Sequence, residues 1–144
     1  MEFIKTFSLF AIFSLAISQN WSVNIRAEIN LWNSNNIATD YENYLGVNEN
    51  ALDSYDILDV PEPPTIPNNH ISLYFYQPEG NENFSYFTKD IKESNQDLLN
   101  STGKKWDAYV VSDAFGETTI EIIVDESFPN CYYKITVNEE DFFQ

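Results

Sequence analysis

The chain is poor in several residue types, and each scarcity excludes something. It has one cysteine in 144 residues, so no disulfide can close within it. Stability must then come from a packed core, a metal or a partner. It has four glycines and one histidine. So few glycines leave little material for a phosphate cradle, and no Gly-rich phosphate loop, Gly-x-Ser-x-Gly or His-Glu-x-x-His occurs. The lone His70 supplies neither a base–nucleophile relay nor a zinc set, because both need several convergent groups. It reads as a loop residue just ahead of a strand. Basic residues are also scarce: 7 Lys and Arg stand against 23 Asp and Glu, for a net charge of −16. Such a surface repels phosphate backbones and excludes a nucleic-acid partner, while it favours solubility.

Long apolar runs are missing except at the start. Met1 to Thr6 is a short leader carrying Lys5, Phe7 to Ile17 is almost wholly apolar, and Ala16-Ile17-Ser18 places small residues at an exit. A charged start, a short apolar run and a small-x-small exit make a secretory signal peptide over residues 1–18, cut after Ser18. The run is too short for a bilayer span, so no transmembrane anchor is expected. The expected mature chain, residues 19–144, is one domain in the secreted or cell-surface space. Its lone Cys131 lies in an alternating strand and reads as a small buried apolar group.

Aromatic residues are abundant: 11 Phe, 9 Tyr and 3 Trp. That content argues for a packed core in place of acidic disorder. Period-two alternation is clearest from Trp21 to Trp32, where Trp21, Val23, Ile25, Ala27, Ile29 and Leu31 share one face. Further strands are expected at Tyr41–Val47, Ile71–Tyr76, Phe84–Ile91, Trp106–Val111, Thr118–Val124 and Cys131–Val137. A helical turn is expected at Asp97-Leu98-Leu99. About seven strands joined by turns predict an all-β, antiparallel, immunoglobulin-like two-sheet β-sandwich, with a closed barrel as the alternative. The expected buried set is Ile25, Ile29, Leu73, Phe75, Trp106, Ile120, Ile122, Tyr133 and Ile135.

Residues 48–69 break the pattern. They hold Asp53, Asp56, Asp59 and Glu62, then Pro61, Pro63, Pro64 and Pro67. Proline cannot donate to a ladder, so this stretch reads as a long acidic crossover on the surface. Asp53, Asp56 and Asp59, spaced by three, are candidate calcium ligands, since calcium takes 6–8 oxygens from carboxylates, amides and carbonyls. The competing reading is turn chemistry, with Asp and Asn side chains bonded to nearby backbone. No other cofactor is implied.

The aromatics also allow two readings. Tyr74 and Tyr76 face away from Leu73 and Phe75, which makes them the expected exposed pair and a candidate ligand-binding site. An exposed aromatic row with polar neighbours would suit a glycan; otherwise the rings serve core packing and cross-strand pairs.

Leu45-Gly46-Val47, then Ala51-x-Asp53-x-Tyr55-Asp56, then Asp59-x-Pro61-x-Pro63-Pro64, then Ile71-Ser72-Leu73-Tyr74-Phe75 form an ordered motif. It resembles a β-sandwich module found in large secreted and surface proteins of marine and gut bacteria, many exported by the type IX route. The likeness extends more loosely to residue 137 through the Trp-led strand at Trp106–Val111. The resemblance implies a sandwich fold and an extracellular location, and no reaction. The expectation is therefore a non-catalytic structural or protein-interaction module, or else a carbohydrate-binding module with an aromatic platform. Its partner would be an extracellular protein or glycan.

Overall fold

The computed structural model describes residues 2–12, 20–32, 34–78, 84–94, 104–128 and 132–142. They form nine strands: β1 (Glu2–Ile12), β2 (Trp21–Leu31), β3 (Ile37–Asn48), β4 (Val60–Pro61), β5 (Ile71–Tyr76), β6 (Tyr86–Glu93), β7 (Lys104–Ser112), β8 (Gly116–Val124) and β9 (Tyr132–Phe142). No helix among the described residues is long and apolar enough to cross a membrane. The seven strands expected from the sequence all form. Two more join them, β1 from the segment read as a leader and β4 from the middle of the acidic stretch. The turn expected at Asp97-Leu98-Leu99 lies outside the described residues.

All nine strands belong to one hydrogen-bonded sheet in the order β8-β2-β3-β6-β5-β7-β1-β9, with β4 paired to β6 beside that path. The all-β class holds, but this mixed, curled sheet is not plainly the expected antiparallel two-sheet sandwich. The ladders are antiparallel except one: β3 and β6 run parallel, with Leu45 opposite Asp90 and Val47 opposite Lys92. A parallel pair needs a crossover of a dozen residues or more. The long segment between β3 and β6, prolines included, supplies it. Strand count cannot distinguish this path from consecutive hairpins.

The sheet curls until its concave face meets itself. Trp21 in β2 and Trp106 in β7 have three strands between them in the sheet order. Their rings nevertheless make an edge contact at 5.8 Å, and Phe128 closes on Trp21 at 5.1 Å. The result is a half-barrel filled from one side. Val23, Ile25, Ala27, Leu45, Leu73, Phe75, Trp106 and Ala108 are at most 1% exposed. The alternation read in the sequence places them there, because successive side chains on a strand point to opposite faces.

Most of the expected core is buried: Ile25, Ile29, Leu73, Phe75 and Trp106 lie inside, and Ile120 and Ile122 pack against them from β8. Ile135 does not; it is 41% exposed on β9, a strand at the sheet's edge with a neighbour on one side only. Cys131 lies outside the described residues, as does the side chain of Tyr133.

One close approach fixes β3 against β2. Gly46 stands opposite Ser22, and a Cβ built on it would lie 2.2 Å from the Trp21 carbonyl oxygen. One polar device bridges β3 to β5. Asp40 accepts the Leu73 N–H at 2.7 Å and the Asn43 amide at 3.0 Å, next to an irregularity in the β2–β3 register. Asn43, fully buried, accepts the Thr88 hydroxyl at 2.9 Å. Buried polar groups are expected to be paired in this way.

Candidate functional site

The convex face of β5, β6 and β7 carries the most distinctive surface. Tyr74 and Tyr76 alternate with the buried Leu73 and Phe75 and so project outward. Register places Tyr109 of β7 opposite Tyr74, and Tyr86 of β6 opposite Tyr76. The four rings touch in turn. Tyr74 and Tyr109 lie nearly parallel at 5.8 Å, Tyr74 and Tyr86 meet edge-on at 4.8 Å, and Tyr76 contacts Tyr86 at 5.7 Å and Tyr109 at 6.1 Å. Tyr76 and Tyr86 are exposed, and the other two are half-buried. Lys105 and Asp107 form an ion pair at 2.9 Å on the same outward row of β7. Sequence reasoning singled out Tyr74 and Tyr76. It did not place Tyr86 and Tyr109 beside them, because only cross-strand register brings them alongside.

The acidic stretch follows a different logic. Asp53 ion-pairs with Lys104 and accepts the Glu93 N–H. Asp56 accepts the N–H groups of Leu52 and Leu58. Asp59 is 5% exposed and accepts the N–H groups of Ile91 and Asp56 at 2.9 and 3.0 Å. The structure thus joins Asp56 to Asp59 and turns Asp53 toward β7. Their oxygens hold the crossover onto β6, as local side-chain to backbone bonding does in turns. Among the described residues, no group of three or more His, Cys, Asp or Glu side chains is placed to hold a metal ion.

Two further carboxyls are desolvated, Asp90 buried and Glu62 half-buried. Asp90 is 1% exposed; it accepts the Gln77 amide at 2.8 Å, and its carbonyl accepts the Trp106 indole N–H at 3.2 Å. Burial pushes its carboxyl up to about 6, against the opposing pull of Lys92. Glu62 follows β4, and its N–H donates to the Tyr86 carbonyl at 3.0 Å. Burial, and then the nearby Asp40 charge, push its carboxyl up to about 7. Desolvation disfavours the charged form in both.

The lone histidine has company that the sequence did not suggest. His70 Nδ1 lies 3.1 Å from Asp113 Oδ1, and Ser112 is adjacent. The three residue types of a hydrolytic triad therefore meet. Their bonding is different: Ser112 Oγ donates to the His70 backbone carbonyl at 2.6 Å and accepts the Ala114 N–H at 3.0 Å. A nucleophile would need its hydroxyl on the imidazole. This corner ties the start of β5 to the β7–β8 turn.

No family model matches the chain, and no curated protein or solved structure matches it either.

Proposed function

We propose that this chain is a secreted, non-catalytic protein-interaction module of the cell surface or extracellular space, with the tyrosine face as its contact surface. The observation that carries this reading is the group of four tyrosines, each touching two of the others, on the outward side of β5, β6 and β7. Tyrosine is enriched at protein interfaces because it offers large rigid area at low entropy cost, with a hydroxyl at its tip. The leader-like residues 1–18 and the resemblance of residues 45–75 to extracellular modules support the location. In this reading the two halves of the curled sheet stand in for the facing layers of an immunoglobulin-like sandwich.

A glycan-binding reading draws on the same face, since exposed aromatics stand beside the Lys105–Asp107 pair. Ring geometry weighs against it. A sugar platform presents ring faces to solvent, whereas Tyr74 and Tyr109 lie nearly parallel and the other pairs meet edge-on or tilted. Part of the ring surface is thus used between the tyrosines.

The test is binding of the labelled mature domain to the surface of producing cells, after protease treatment and after periodate oxidation of surface sugars. Protease should abolish binding and periodate should leave it. The Tyr76→Ala/Tyr86→Ala double variant should lose binding while melting within about 1 kcal/mol of the parent, because both side chains are exposed. Loss with periodate and retention with protease would replace the protein partner by a glycan.

A further inference from the structure

A cleft of about 470 Å³ opens beside the start of β2, lined among others by Asn20, Trp21, Ser22, Tyr44, Asn48 and Lys89. Its volume falls in the usual range of small-molecule sites. Its chemistry departs from that of the chain. In a protein with 23 acidic residues, no carboxylate of the described residues lines it. Two acidic residues beside the lining are committed: Glu42 accepts the Tyr44 hydroxyl at 3.0 Å, and Asp125 accepts the backbone N–H of Ser127, another lining residue, at 2.7 Å.

The lining is rich in donors. Asn20 Oδ1 accepts the Glu49 N–H at 2.8 Å, and Asn48 Oδ1 accepts the Asn50 N–H at 2.9 Å. These bonds fix the sense of both amides, so what each has left to offer is its NH2 group. Lys89 adds an ammonium on a flexible stem. The other lysines and the arginine of the described strands β2, β6 and β7 behave differently. Arg26 approaches Glu121 at 4.0 Å, Lys104 pairs with Asp53, Lys105 pairs with Asp107, and Lys92 lies 5.7 Å from the centre of the Trp106 ring. Lys89 has no carboxylate within ion-pair reach among the described residues.

We infer that this cleft binds a sugar acid, a hexuronate whose carboxylate meets Lys89 and whose ring oxygens accept from the amides of Asn20 and Asn48. One lysine matches one carboxylate charge. A phosphate dianion would bring excess negative charge into a −16 field, and the cleft has no glycine-rich backbone cradle to receive it. The Tyr44 wall suits the apolar face of a pyranose ring.

The experiment is a heteronuclear NMR titration of the folded protein with D-glucuronate, D-glucose and sodium acetate at matched ionic strength. Glucuronate should give saturable shifts centred on Asn20, Asn48 and Lys89, and glucose and acetate should each bind at least about tenfold more weakly. Lys89→Gln should bring glucuronate down to the glucose level. Asn48→Asp should abolish binding while keeping the Asn50 cap, since it retains the accepting oxygen and removes the donor. Equal binding of glucose or of acetate, an unaltered Lys89→Gln response, or no saturable shift would each refute the assignment. The tyrosine double variant should bind glucuronate as the parent does, so this site and the tyrosine face stand or fall separately.

Discussion

Single residues carry some of the sharpest constraints. Gly46 is fixed by a close approach: Gly46→Ala would drive a methyl group into the Trp21 carbonyl of the neighbouring strand. Relief requires backbone movement between β2 and β3, so the variant should lose about 1–3 kcal/mol in urea unfolding with an unchanged slope. Asp90 makes a different demand. Its carboxyl, held up at about 6, keeps its proton more firmly in the folded chain than in the unfolded one. Its contribution to stability is therefore full below about pH 4 and is lost as pH rises through 6. Glu62, at about 7 and less deeply buried, acts in the same direction over a slightly higher range. Stability should fall between about pH 4 and 7, and Asp90→Asn should remove on the order of 1–3 kcal/mol of that decline. General relief of acidic self-repulsion would give a similar decline in the parent. An Asp90→Asn curve as steep as the parent's would assign the effect to that repulsion.

Elements show where the sequence could be read and where it could not. β2 was legible because six apolar residues alternate without interruption over one curved face, and the structure buries five of them: Trp21, Val23, Ile25, Ala27 and Ile29. Tyr74 and Tyr76 were legible as outward residues for the same reason. The parallel pairing of β3 with β6 was not, because alternation is local and says nothing about which distant strand will lie alongside. That Tyr86 and Tyr109 lie beside Tyr74 and Tyr76 was hidden by the same limit. Ile135 was misassigned because alternation sorts two faces without revealing that β9 sits at an edge. In the crossover, the three-residue spacing of Asp53, Asp56 and Asp59 suggested a shared ligand, whereas the structure gives each its own backbone partners. Asp56→Ala should thus destabilise the ion-free protein by about 1–2 kcal/mol, since it frees two N–H groups. Calcium is tested on the parent. A melting shift with calcium beyond that given by sodium chloride at equal ionic strength would restore the ion-binding reading. Equal shifts leave the loop as turn chemistry.

For the whole molecule, the charge of −16 and the first eighteen residues set the terms. Mass spectrometry of secreted material should show an N-terminus at Gln19, give or take a few residues; finding only intact chain inside the cell would remove the extracellular reading. The place of β1 gives that cut an unusual weight. β1 is an interior strand, with β7 on one side and β9 on the other. Its removal strips hydrogen-bond partners from two strands at once, and these two, each antiparallel to β1, run parallel to each other. Time then enters the chemistry. A precursor that folds before it is exported closes its own leader into a ladder, out of reach of any peptidase that needs an extended, accessible segment. A precursor held unfolded until after the cut never builds this sheet, and its β7 and β9 must find each other or another strand. Folding and processing of this chain are competitors for the same eleven residues, and the faster of the two decides which molecule results.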